Sequence, residues 1–141
     1  MKQYNISKHN SFYCVGLSYQ KAEAHIRGKF SLPDTAQASI LETIKVDHIG
    51  DGALIISTCN RTEIYGFAQH PCQFIKLLCD YSNGTAEEFQ EVAYIHKNKD
   101  AISHLFKVGT GLDSQILGDF EIISQLKKGF KASQGVGLIN G

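Results

Sequence analysis

Seven consecutive residues, Ser57-Thr58-Cys59-Asn60-Arg61-Thr62-Glu63, hold the side chains best suited to chemistry in this chain. A cysteine reacts as its thiolate, and a free thiol ionises at a pKa of about 8.5. A nearby positive charge or converging backbone N–H groups favour the thiolate. Arg61 supplies such a charge, or a bidentate fork for a carboxylate. On their own these residues also admit plainer roles. A cysteine at the end of an apolar strand is commonly a small core residue, and Arg61 with Glu63 reads as a surface ion pair.

Other candidates lie further along. His104 precedes Leu105 and Phe106 on a predicted helix, where a histidine is often structural. Ser114 stands at a helix start, where it serves as a cap or as a polar contact. Cys72 and Cys79 share one predicted helix face, with His70 nearby, so a metal or redox protein is one competing reading. The apolar neighbours Phe74 and Leu78 favour core packing instead. The four cysteines, Cys14, Cys59, Cys72 and Cys79, contain no C-x-x-C pair. All four are expected as thiols, with no metal site.

The elements that must position Cys59 follow from periodicity. Phe12 to Ser18 reads as a strand. Ala22 to Arg27 reads as a helical turn stopped by Gly28. Ser31 looks like the cap of a helix whose apolar face is Ala36, Ile40, Leu41 and Ile44. Asp51-Gly52 is a turn signal. Ala53 to Ser57 is solidly apolar, as in a buried central strand, and Thr62 to Ala68 alternates as another strand. Thr58-Cys59-Asn60-Arg61 therefore sits at the mouth of a strand connection.

Pro71 opens a helix with Phe74, Leu77, Leu78 and Tyr81 on one face, ended by Asn83-Gly84. Thr85 to Glu88 has the capping-box pattern. Val92 to His96 is the fourth strand candidate, and Asn98 the cap of a helix carrying Ile102, Leu105 and Phe106. Gly109-Thr110-Gly111 breaks that helix. Asp113 caps a longer one with Ile116, Leu117, Phe120, Ile123, Leu126 and Phe130, ending near Gly135. This order predicts an α+β, ferredoxin-like sandwich. Its antiparallel four-stranded sheet carries packed helices, with extra C-terminal helices beyond.

At 141 residues the chain is long enough for one domain with a real core. The formal net charge is +0, so composition gives no electrostatic case for nucleic acid or membrane. No run approaches the roughly 20 apolar residues of a bilayer span. Met1 to Asn5 lacks a signal-peptide core, so a cytoplasmic location is expected.

Two blocks resemble the glutamyl-tRNA reductase family. Ser57 to Tyr65 reads S-T-C-N-R-T-E-I-Y, like the family's signature. His104 to Gly118 resembles its H-L-F-x-V-x-x-G-L-D-S-x-x-L-G run. Fainter likeness occurs at Val15-Gly16-Leu17-Ser18, Arg27 and Tyr94-Ile95-His96. The resemblance implies that Cys59 is the nucleophile taking glutamate from its tRNA ester as a thioester. It implies that His104 matters for activity, in proton handling. It also implies that Thr58, Asn60, Arg61, Ser114, Asp119, Glu121 and Gln125 contact the substrate, with Arg61 opposite the glutamate carboxylate. A solvated helix face is the plainer reading of Gln125.

NADPH would then reduce the thioester to glutamate-1-semialdehyde for tetrapyrrole synthesis. The resemblance implies glutamyl-tRNA as partner, admits glutamate-1-semialdehyde aminomutase as another, and implies a homodimer built by a C-terminal domain. Asp119-Phe120-Glu121 replaces the family's E-P-Q, which weakens the expectation for Asp119 and Glu121. Tyr19 to Glu23 replaces the histidine and proline that the family often has after its first strand. No G-x-G-x-x-G follows a strand and opens a helix, so NADPH would be bound by a domain outside this sequence. The expected division is a catalytic domain at 1–135 and the start of a linker at 136–141, read as a cut end. The remaining alternative is a non-catalytic ferredoxin-like module that binds a ligand or partner.

Overall fold

The computed structural model describes residues 10–47, 49 and 53–110. Strands β1 (Ser11–Ser18), β2 (Ala53–Ser57), β3 (Arg61–Ala68) and β4 (Tyr94–Lys97) form one sheet in the order β2-β3-β1-β4. Every neighbouring pair is antiparallel. Helices α1 (Ala24–Lys29) and α2 (Asp34–Val46) carry the chain from β1 to β2. Helices α3 (Cys72–Asp80) and α4 (Ala86–Val92) carry it from β3 to β4, and α5 (Lys99–Thr110) follows. With β3 inserted between β1 and β2, this is the split βαβ arrangement of ferredoxin-like sheets. The expected α+β class and four-stranded antiparallel sheet are present.

Successive strand residues point to opposite faces, and both faces of this sheet are covered. Tyr13, Val15 and Leu17 of β1, with Ile55 and Ile64, pack against Ile40 and Ile44 of α2 and Phe74 and Leu78 of α3. Cys14, Ile56 and Tyr65 point the other way, onto Ala101 and Val108 of α5. Burial on two sides explains why Ala53 to Ser57 is apolar without alternation. Each buried Ile, Leu or Phe contributes roughly 1.5–3 kcal/mol of transfer free energy.

Several boundaries differ from expectation. Ser31 does not cap α2; Pro33 holds the N-cap position, with no side-chain cap bond. A residue before proline is kept out of the helical region, so Leu32 cannot be a first helical residue. Its N–H is bound instead by Ser57 Oγ at 3.0 Å. Gly28 does not stop α1, which runs on to Lys29. Val92 closes α4 rather than opening the last strand. Tyr81 lies past the end of α3, exposed, with its hydroxyl 3.1 Å from Thr43 Oγ1. Asn98 adopts φ 52°, the left-handed region that Asn tolerates. Its Oδ1 accepts the Phe12 N–H, tying the start of α5 to β1. The expected helix from Asp113 lies outside the described residues.

The capping box is formed: Thr85 Oγ1 accepts from Glu88 N, and Glu88 Oε1 accepts from Thr85 N. Thr85→Ala is expected to cost about 1 kcal/mol, read as a lower urea midpoint with unchanged slope.

Candidate active site

The β2–β3 connection is a tight hairpin. Ser57 faces Thr62, Thr58 N donates to Arg61 O at 2.8 Å, and Cys59 and Asn60 form the tip. Three further bonds fix that tip. Asn60 N reaches Thr58 Oγ1 at 3.1 Å, and Asn60 O accepts from Tyr19 N at 2.9 Å. Arg27, on α1, donates from Nε to Cys59 O at 3.0 Å and from a terminal nitrogen to Ala22 O at 2.7 Å. The hairpin is thus pinned to the end of β1 and to α1. Cys59 is exposed, whereas Cys14 is buried. The core-packing role that is common for a strand-end cysteine therefore belongs to Cys14. Arg27→Ala removes two charge-assisted bonds from a partly exposed site. It is expected to cost about 1.5 kcal/mol and to speed hydrogen exchange at Tyr19 N and Thr58 N.

Arg61, Glu63 and Tyr65 alternate along β3 and share the face that α5 covers. Arg61 and Glu63 therefore do not form the surface ion pair expected from a bare R-x-E. Both side chains are 0% exposed, with an Arg61 terminal nitrogen 3.5 Å from Glu63 Oε2. Glu63 Oε1 accepts from the Tyr65 hydroxyl at 2.8 Å. Glu63 Oε2 accepts from the Tyr94 hydroxyl and meets His104 Nε2. The His104 side chain is 11% exposed. Its ring lies 5.1 Å from that of Tyr94 and 4.5 Å from that of His96, centre to centre.

The electrostatics follow from this packing. Burial works to raise the Glu63 carboxyl. The His104 hydrogen bond and charge, then Arg61 and Tyr94, outweigh it and hold the group below its ordinary value. Burial, then the Glu63 charge, pushes the Tyr65 and Tyr94 hydroxyls far up. They remain protonated and donate. Burial likewise raises the Cys14 thiol, so Cys14 is no nucleophile at neutral pH.

Thr58, Cys59 and Asn60 form the hairpin tip that leads into Arg61, and Arg61 and His104 meet on Glu63. Ser114, Asp119, Glu121 and Gln125 lie outside the described residues. Sequence reasoning did not single out Glu63 or Tyr94 as site residues, and it left Arg27 as a faint likeness only. A strand reading R-x-E-x-Y, with Thr62 and Ile64 between, was the available signal for a buried polar face. Cys72 and His70 are exposed and Cys79 is half-buried. Among the described residues the group with metal-ligand proximity is Cys14, Glu63 and His104, whose ligand atoms lie within 4.8 Å of one another. Both Glu63 oxygens already accept hydrogen bonds and the Arg61 guanidinium stands alongside, so a cation would enter against a buried positive charge. Among the described residues no helix is long and apolar enough to cross a membrane.

Comparison with known proteins places the chain in a family. The chain is 63% identical over 140 residues to a glutamyl-tRNA reductase of Christiangramia forsetii, covering 99% of this chain and 33% of that protein. It is 60% identical to one of Flavobacterium psychrophilum, covering 99% of this chain and 34% of that protein. The chain thus spans about a third of the length of these curated relatives. In fold it resembles a solved glutamyl-tRNA reductase from Methanopyrus kandleri. There the TM-score is 0.70 at 21% identity, over 92% of this chain and 29% of the other. The family described as Glutamyl-tRNAGlu reductase, N-terminal domain, matches residues 15–141. The chain belongs to the glutamyl-tRNA reductase family and corresponds to its N-terminal domain.

Proposed function

We propose that this chain performs the acyl-transfer half of glutamyl-tRNA reduction in tetrapyrrole synthesis, within a domain spanning 1–135. The Cys59 thiolate attacks the ester carbonyl joining glutamate to the tRNA 3′ end. A C–S bond forms, the C–O bond breaks, and the terminal ribose hydroxyl leaves after taking a proton. Covalent catalysis of this kind divides one hard step into two. His104 manages the proton. Thr58, Asn60 and Arg61 hold the glutamyl group; Arg61 is buried against Glu63 here, so its contact with the side-chain carboxylate requires the guanidinium to become accessible when substrate binds. Ser114, Asp119, Glu121 and Gln125 complete the contacts. Backbone N–H groups beside Cys59 steady the tetrahedral oxyanion.

The observation that carries this reading is an exposed Cys59 on a turn pinned by Arg27 and Tyr19, directly preceding a strand that buries Arg61 and Glu63 against His104.

Reduction of a thioester calls for a hydride donor, and NADPH is the donor in this reading. The described residues do not fit it. A dinucleotide pyrophosphate needs a glycine-rich turn from a strand into a helix N-terminus. Here β1, β3 and β4 lead to their helices through Tyr19–Glu23, Gln69–Pro71 and Asn98, none of which contains glycine. NADPH binding and homodimer formation are assigned in this proposal to a further domain. Glutamate-1-semialdehyde aminomutase is the proposed recipient of the product, and the cytoplasm the proposed compartment.

Incubation with tRNA charged with labelled glutamate tests the proposal. It predicts protein-bound label that hydroxylamine releases, and no saturable NADPH binding. Label that resists hydroxylamine, or none, contradicts acyl transfer, and saturable NADPH binding contradicts the division into domains. The reading as a non-catalytic module is disfavoured by the exposed thiol. It predicts slow, unselective modification of Cys59 by iodoacetamide.

A further inference from the structure

We propose that Glu63 is a positioning residue of this site, fixing the tautomer and orientation of His104 and, with the same carboxylate, the guanidinium of Arg61. The inference rests on the acyl-transfer reading above and adds to it a residue that the reading leaves without a role.

The geometry is specific. One wholly buried carboxylate meets groups from three sources: Arg61 and Tyr65 of its own strand, Tyr94 of β4 and His104 of α5. A buried carboxylate is costly unless its oxygens are filled, and here the filling groups are the two cationic candidates of the site and two tyrosines. The tyrosines saturate the carboxylate without competing for charge. The backbone makes room for it. Gly16 of β1 faces Glu63 in register. A Cβ on Gly16 would come 2.8 Å from Glu63 Cγ and 2.3 Å from Thr62 O. Only glycine lets the Glu63 side chain cross β1 toward α5.

The consequence is a defined imidazole. A carboxylate accepts only, so neutral His104 must carry its proton on Nε2 to bond Glu63. Nδ1 then remains as the basic nitrogen. A carboxylate behind an imidazole sets tautomer and aim in this way in hydrolytic triads. Among the described residues, the groups near His104 include Glu63 and Tyr65 from β3, Tyr94 and His96 from β4, and Cys14 of β1, whose sulfur lies within 4.8 Å.

Two measurements on the full chain test this. Long-range 15N–1H correlation spectra of 15N-labelled protein, assigned with His104→Asn, report the tautomer directly. The proposal predicts Nε2–H for neutral His104, and a mixture of tautomers in Glu63→Gln. A dominant Nδ1–H form in the unaltered protein overturns it, whether or not the variant folds. Single-turnover thioester formation supplies the second readout. Glu63→Gln should lower the maximal rate at least about tenfold, within the usual range for acid–base catalysis. It should lose clearly less in a His104→Asn background, where only its hold on Arg61 is left to be lost. Equal losses in both backgrounds would mean that Glu63 acts on the fold alone, and would overturn the proposal. If the parent protein forms no thioester at all, the acyl-transfer reading fails while the tautomer result still decides the role of Glu63.

Discussion

Cys59→Ser lowers the single-turnover rate of acyl transfer from glutamyl-tRNA by a factor on the order of 10³ or more, the scale seen when a nucleophile is removed. Serine keeps the shape and polarity of the hairpin tip, and the side chain is exposed, so the fold should be intact. A hydroxyl at neutral pH is far from ionised, and a serine nucleophile depends on an adjacent general base to react. The loss should therefore appear in rate and not in the urea midpoint. Cys72→Ser, at the other exposed thiol, is the matched control and should change neither. Retention of transfer in Cys59→Ser would remove the nucleophile from the scheme.

The second large effect is on stability. Arg61→Leu leaves Glu63 buried with its guanidinium partner gone. Breaking a buried pair from one side costs about 3–5 kcal/mol, a large share of the ~5–15 kcal/mol that holds a domain folded. Adding Glu63→Gln should restore part of the loss, because the uncompensated charge is then removed. The pH dependence has a definite sign. The Glu63 carboxyl is held below its ordinary value in the folded chain. Its contribution is therefore complete above the unfolded carboxyl pKa of about 4.3. It is lost as pH falls from there through the folded value. Urea titrations between pH 7 and pH 3 should show this acid-side loss in the parent and a shallower one in Glu63→Gln. An identical acid limb in both would place the acid sensitivity elsewhere.

The strands were legible because their pattern is local. Ala53 to Ser57 had to be buried on both faces, and Tyr13, Val15 and Leu17 alternate toward one core. The Thr85 cap was legible because its partner, Glu88, lies three residues on. Ser31 misled because the effect of Pro33 on Leu32 outweighs a favourable cap residue. Asn98 directly precedes α5, as expected, but its side chain bonds to Phe12, 86 residues away in sequence, which no local pattern announces. The same distinction applies to the site. Cys59 and Arg61 could be found from composition at one strand end. Glu63 could not be weighed without knowing that α5 covers that face, or that Tyr94 and His104 arrive from 31 and 41 residues away. An R-x-E tripeptide on a strand looks solvated until a helix lies over it.

The most direct test of the central claim is to locate the acyl group. The chain is treated with tRNA bearing labelled glutamate, quenched at acidic pH to preserve thioesters, digested, and the labelled peptide is read by mass spectrometry. The glutamyl group is predicted on Cys59 alone, within the peptide holding Ser57-Thr58-Cys59-Asn60. Label on Cys72 or Cys79, or on a lysine as a stable amide, would contradict the account.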